Sequence, residues 1–328
     1  MQTFTKCHNI RVDGGEYTAG FLGLDWFPSA STAGQKNRYE GDTLATLDRL
    51  MRSWTGWSVI TEIFYCAKSM VIKPYYPSGP TDRNAFAQPM DPAAATLAGT
   101  TTLTSTGDFP AAGPASFTAS IANAVLTVTA VRDGKLQTDM TLTGSGIPGG
   151  VRIVLQLSGT PPGGVGTYLI SDQSITAPSK AMTGTPISRT LGTGFGSDVL
   201  VRFSSSVFTA SGAPTGAGDS PDEILLHEMI HGLRQMQGRS VKEAIVGNSG
   251  MDNYEEFAAI TISNVYRSEM NLPGLRADHR GFNLLTGATT NLATFKTTYY
   301  QWLIDLDIEQ PRLCKNLRNV RCAFNPFT

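Results

Sequence analysis

The sequence predicts an α+β fold with a small all-β module inserted into it. Three observations carry this expectation. Composition changes sharply along the 328 residues: residues 92–186 hold eight charged residues in 95 and no His, Glu, Cys or Trp, whereas the other 233 hold 45 charged residues and all four histidines. The charge-poor stretch alternates apolar and polar residues with the two-residue period of half-buried strands, and Gly/Pro clusters interrupt it. The flanks instead place apolar residues at helical spacing. The boundaries that follow are 1–96 for the first part of the host domain, 97–189 for the β module and 190–328 for the remainder.

Each element has its own signal. In TLATLDRLMRSWTGWSVITEIFYCA (43–67), Leu44, Leu47, Leu50, Met51 and Trp54 recur at helical spacing, which predicts a helix with Trp54 and Trp57 in the core. Within the module, AVLTVTAV (124–131) alternates as a strand does, and Asp133-Gly134 marks a turn. MTLTGSGIPGG, VRIVLQLSG and GTYLISDQSI follow at spacings of roughly ten residues, the pattern of a small sandwich or barrel. DVLVRFSSSVF (198–208) reads as a strand, and helices are expected near 220–237, 252–270 and 292–309.

Composition excludes several classes. Hydrophobic residues make up 41% and charged residues 16%, which supplies a core and excludes a chain disordered throughout. Lys+Arg number 26 against Asp+Glu 27, with no basic block, so no nucleic-acid partner is expected. No apolar run approaches the roughly 18 residues of a membrane span. The opening MQTFTKCHNIRVDGG lacks the apolar core of a signal peptide, which predicts export by a route that reads no such signal. Cys7, Cys66, Cys314 and Cys322 form no CxxC pair; free thiols, a Cys314–Cys322 bridge and a pairing of Cys7 or Cys66 with a distant partner all remain open.

Chemistry concentrates in LLHEMIHGL. His227 and His231 stand four residues apart, one turn along one helix face, so both imidazoles can point at a single ion about 2.0–2.1 Å away. Glu228 is rotated by about 100° and cannot share that point, but it can take a proton from a water beside the ion. Ser220-Pro221-Asp222-Glu223 reads as a capping box opening this helix, and Gly238 as its terminator. A catalytic zinc takes three protein ligands and leaves one position open. No third His follows within the helix, so the next candidates are Glu243, Asp252, Glu255 and Glu256.

Glu255 shares a stripe with Ala258, Ala259, Ile262 and Tyr266, small and apolar enough to pack on the first helix. Glu256 leads toward Ser263 and Arg267, which suits a carboxylate outside the ligand set. Glu255 is therefore the expected third ligand and Glu256 the alternative, although Asp252 could draw Glu255 into a capping box. His279 and Tyr266 are candidates for stabilising the transition state. His8 reads as incidental.

HEMIHGLRQMQG with NYEEFAAITISNVYRSE resembles the gluzincins, metallopeptidases with two His from HExxH and a downstream Glu. The resemblance is nearest to bacterial effector peptidases, namely the NleD-like injected proteases and the C-terminal metallopeptidase domain of type VI secretion VgrG spike proteins. It covers about residues 8–80 and 195–285, with Gly232 standing where Ala is usual. Residues 134–185 resemble β modules of phage tail and virion proteins. The resemblance implies a zincin-like metallopeptidase domain, one Zn²⁺ per chain and peptide-bond hydrolysis by an antibacterial or host-directed toxin. It also implies a secretion spike, adaptor or immunity protein as partner, delivery by a signal-peptide-independent machine, and action in the target cell or its periplasm. Two other readings stay open: a tail-like structural or attachment protein with a structural zinc, and a cell-wall amidase or peptidase.

Overall fold

The computed structural model describes residues 1–15, 33–76, 84–95, 101–103, 114–136, 140–159, 163–172, 174–185, 189–191, 194–209, 218, 220–240, 251, 253–279, 283–285 and 291–328. The fold is mixed α/β. In chain order it begins with β1 (Gln2–Thr3), β2 (Ile10–Val12), α1 (Ala33–Leu50), α2 (Trp54–Phe64), β3 (Met70–Lys73), β4 (Phe86–Pro89) and α3 (Pro92–Ala95). Eight strands follow: β5 (Thr101–Leu103), β6 (Ala115–Ala122), β7 (Val125–Asp133), β8 (Thr141–Thr143), β9 (Ile153–Ser158), β10 (Gly166–Ile170), β11 (Ala177–Thr185) and β12 (Arg189–Leu191). The chain then forms β13 (Val199–Arg202), α4 (Ser205–Thr209), α5 (Pro221–Met236) and α6 (Tyr254–Glu269). It ends with α7 (Leu292–Thr298), α8 (Tyr300–Glu309) and α9 (Pro311–Leu317). Two compact units result: Met1–Thr100 with Gly192–Thr290 and Arg312–Thr328, and Thr101–Leu191 with Asn291–Pro311.

The first unit holds a five-stranded sheet in the order β1-β2-β3-β13-β4. β2, β3 and β13 are parallel, and the edge strands β1 and β4 run antiparallel to their neighbours. Parallel neighbours need a crossover; α1 and α2 supply the one between β2 and β3. The helix expected over 43–67 is two helices. Ser53 interrupts it, its hydroxyl accepting from Gly56 N at 2.9 Å as the N-cap of α2. Glu269, at the far end of α6, accepts from Trp54 N and Thr55 N and so sets a carboxylate on the same helix start. This turn carries Trp54 out of the core, contrary to expectation. Trp54 is 46% exposed and Trp57 half-buried, while Val59, Ile60 and Ile63 form the buried face. Residues 292–309 likewise form two helices, α7 and α8.

α5 and α6 are buried almost all round, from Glu223 to Met236 and from Tyr254 to Arg267. Gly232 lets α5 approach the sheet: a Cβ there would lie 2.5 Å from Met70 Cε and 3.3 Å from Val199 Cγ1. Pro221 occupies the first turn as expected, but the capping box does not form. Glu223 is turned inward, accepting from Gly218 N at 3.0 Å and pairing with the buried Arg267 guanidinium. A buried arginine requires a counter-ion, and that requirement outweighs an exposed cap. Gly238 ends the helix as expected, with φ +67° one residue past the C-cap Gln237; a Cβ on it would meet Gly194 O at 2.3 Å.

The second unit holds the sheet β8-β11-β6-β7-β10-β9 and the separate pair β12-β5. Its two outer strands meet: Leu142 N donates to Val151 O at 2.8 Å and Ile153 N to Met140 O at 3.0 Å. The six strands therefore close into a barrel, which removes the exposed edges. Ala115, Phe117, Ala119 and Ile121 of β6 face its interior alternately, with Leu126 and Val128 of β7. Asn123 and Ala124, both at positive φ, make the hairpin between these strands. All four cysteines are free. No helix among the described residues is long and apolar enough to cross a membrane.

The inward pair and the surface pair on the first turn of α5 differ in a measurable way. Glu223 and Arg267 have side chains at 0% exposure, whereas Arg49, 2.8 Å from Asp222, is 45% exposed. Removing one partner of a buried pair costs about 3–5 kcal/mol, and an exposed pair contributes about 1 kcal/mol or less. Urea unfolding should therefore show a loss of about 3–5 kcal/mol for Glu223→Ala and under about 1 kcal/mol for Arg49→Ala. Equal losses would contradict this account of the helix.

Candidate metal centre

α5 presents His227 and His231 one turn apart, as the spacing predicts. Their Nε2 atoms lie 3.1 Å apart, and both residues are more than nine-tenths buried. α6 starts at Tyr254, because Asn253 caps it by accepting from Glu256 N at 3.0 Å. That start sets which glutamate reaches the histidines. Glu256 Oε2 is 3.3 Å from His227 Nε2, and Glu256 Oε1 is 3.4 Å from His231 Nε2.

The expected order of the two glutamates is thus reversed in the structure. Glu255 turns to the guanidinium of Arg234, accepting from Nε at 3.0 Å on each oxygen and standing 2.9 Å from Nη2. It approaches His231 only at Nδ1, on the side away from Glu256, at 3.9 Å. Arg234 follows His231 by three residues and is 1% exposed; with no water to solvate it, it claims the nearest carboxylate. Arg267, the expected partner of Glu256, is held instead by Glu223. Glu243 and Asp252 lie outside the described residues.

His227, His231 and Glu256 form a cluster that could hold a metal ion. With one ligand atom taken from each residue, the three atoms lie within 4.8 Å of one another, near enough to share an ion about 2.0–2.1 Å from each after small side-chain adjustments. The donor set, two imidazole nitrogens and a carboxylate oxygen, suits a borderline divalent ion. Glu256 Oε2 is buried without a hydrogen-bond partner, as a ligand oxygen facing an ion would be.

Electrostatics in the metal-free protein agree with this geometry. Burial, with the Arg276 guanidinium nearby, pushes His227 down to about 3, so its imidazole is neutral. Burial alone would lower His231 too, but the carboxylates of Glu256 and Glu255 outweigh it and raise His231 to about 10. Burial opposes ionisation of Glu256, yet the two imidazoles hold its carboxyl well below the usual range.

Glu228 is 8% exposed and makes no protein hydrogen bond or ion pair among the described residues. Burial raises its carboxyl above the ordinary value, opposed by charge on His231, Arg276 and His279. His279 is 38% exposed at its side chain, with Nε2 3.6 Å from Glu256 Oε1 and its ring nearly parallel to that of His227 at 6.4 Å. It stands at the solvent side of the cluster. Tyr266 does not join it. Its hydroxyl is buried against Asp222 and Arg49, at the first turn of α5. His8 packs edge-on against Phe64, away from the cluster.

Sequence reasoning missed three buried polar residues that order this region: Arg234, Asn264 and Arg276. The two arginines in apolar surroundings, in IHGLRQM and LPGLRAD, were the available signal, since each must find a partner.

A protein-family model, Peptidase_M91, described as effector protein, matches residues 112–283, just over half of the chain. The matched span includes α5, α6 and His279. No curated protein and no solved structure matches the chain. With its two-histidine, one-glutamate cluster inside the matched span, the chain belongs to the Peptidase_M91 family of effector proteins.

Proposed function

We propose that the chain is a zinc-dependent peptidase with a zincin-like catalytic unit of the gluzincin kind, acting on protein substrates as a bacterial effector. The observation that carries this reading is the convergence of His227 Nε2, His231 Nε2 and Glu256 beside the unpartnered carboxylate of Glu228. The family's effector description supports delivery into another cell; a secretion spike, adaptor or immunity protein as partner rests on the sequence resemblance alone. The likeness to NleD-like and VgrG-borne peptidases rests on HEMIHGL and NYEEF.

His227, His231 and Glu256 would hold the zinc ion. When bound, such an ion polarises the scissile carbonyl and acidifies an adjacent water. Glu228 takes the proton from the attacking water and returns it to the leaving nitrogen. Its burial raises its proton affinity toward the range this exchange needs. His279 approaches from the solvent side and donates to the carbonyl oxygen as negative charge develops there. Glu255 lies behind His231 and, with Arg234, steadies that imidazole.

One observation favours a second reading. His279 Nε2 is 3.6 Å from Glu256 Oε1, near enough that a small side-chain rotation would make it a fourth ligand. A site closed by four protein ligands is structural rather than catalytic. Glu228→Gln separates the two readings: a catalytic site should keep one zinc per chain and its fold but lose cleavage of a denatured protein mixture by about 100-fold or more. Unchanged cleavage would exclude Glu228 as the base.

The two glutamates should part in a chelator-competition titration. Glu256→Ala should lower zinc affinity by more than about 100-fold, whereas Glu255→Gln stays within about 10–100-fold. Glu255→Gln should also lower stability, because Arg234 keeps only an uncharged partner. The reverse order would make Glu255 the ligand.

Affinity should also depend on pH in a stated direction. His231 holds a proton up to about pH 10 in the metal-free protein, while His227, at about 3, holds none near neutrality. Zinc binding displaces the His231 proton, so apparent affinity should rise about tenfold per pH unit between about pH 6 and 9 and level off only above about pH 10. An affinity flat across this range would show that no proton is displaced.

A further inference from the structure

His279 sits on one of two short paired arms. Ala277 N donates to Asn283 O at 2.7 Å, and Leu285 N donates to Leu275 O at 2.8 Å. Asp278 accepts from both the backbone and side-chain amides of Asn283. These bonds shape the arms but do not tie them to the metal cluster. Two buried side chains do. Asn264, on α6 and 0% exposed, grips the backbone of residue 276 from both sides. Its Oδ1 accepts from Arg276 N at 2.7 Å and its Nδ2 donates to Arg276 O at 2.8 Å. Only an amide supplies both halves of this grip; a carboxylate could accept but not donate.

The Arg276 side chain completes the attachment. It is 2% exposed. Nε donates to Asp278 O at 2.7 Å and Nη2 to His279 O, while Nη1 reaches within 3.5 Å of His227 Nδ1. The planar fork therefore holds the carbonyls of two consecutive residues next to a ligand imidazole. Because Asn264 and Glu256 share α6, the arm bearing His279 is referenced to the same rigid helix that carries the third member of the cluster. Arg276 donates from Nε and Nη2 to main-chain carbonyls of the arm, so it orders the arm.

We infer that Asn264 and Arg276 are positioning residues, which hold His279 where it meets the developing oxyanion. This rests on the role given to His279 above. A displacement of about 1 Å at such a group can cost about 100-fold in rate. The clamp is built from directional bonds to the main chain, so variants of similar size and altered bonding should misplace His279 without emptying the metal site.

The test uses the full zinc-loaded chain and a quenched-fluorescence peptide drawn from its own cleavage products. Asn264→Asp and Arg276→Lys should each lower kcat by about 10–100-fold, with KM within about twofold and one zinc per chain. Added to His279→Ala, neither should cause further loss, because all three act through one group. In the zinc-free protein, the amide of Arg276, which donates to Asn264 Oδ1, should exchange with solvent at least about tenfold faster in Asn264→Leu than in the wild type. Losses that add to that of His279→Ala, or unchanged amide protection, would overturn the proposal. Wild-type kcat in both clamp variants with an impaired His279→Ala would overturn the clamp alone. Wild-type kcat in His279→Ala would overturn the role of His279 and the clamp with it.

Discussion

Charge is buried in and around α5 and α6, and each buried charge must be matched there. Arg267 takes Glu223, Arg234 takes Glu255, and Arg276 takes the carbonyls of Asp278 and His279. Once those pairings are made, the ion-pair partners of Glu256 among the described residues are imidazoles. Its carboxylate, with two Nε2 atoms close by, is an arrangement that a cation completes. The matching is costly in isolation, since a buried pair recovers its desolvation only with good geometry. Its effect is specificity: each partner excludes another side chain from the site.

Much of this was legible in the sequence, and the failure has a definite cause. HExxH fixed a helical spacing, and the spacing survives folding because backbone geometry alone sets it. The strands between residues 115 and 185 were legible because alternation and turn residues are local signals; which of sandwich and barrel they form, decided by bonds between residues 140–142 and 151–153, was not. The choice between Glu255 and Glu256 went the other way. It assumed that α6 has a packed stripe and a solvent stripe. α6 is buried on every side from Tyr254 to Arg267, so no such contrast exists. What decides is the helix start at Asn253 together with the demand of Arg234 for a counter-ion, and the second of these lies on another helix. Trp54 misled for a related reason. Ser53 breaks the helix one residue earlier and rotates the face that follows.

The residues around the cluster differ in exposure. Behind the histidines, Gly232 brings α5 against Met70 and Val199, leaving no room for solvent. Beside the histidines, Glu228 is buried without a protein hydrogen bond among the described residues, and His279 is partly exposed. In the proposed mechanism Glu228 is the proton acceptor and His279 the donor beside this two-imidazole, one-carboxylate cluster.

The central claim is that Glu256, and not its neighbour, completes the metal frame. Anomalous diffraction at the zinc edge from crystals of the zinc-loaded protein tests it most directly. The account predicts one peak per chain, in contact with His227 Nε2, His231 Nε2 and a Glu256 oxygen at about 2.0–2.2 Å, with Glu255 still on Arg234. A peak ligated by Glu255, or one found away from both histidines, would contradict it.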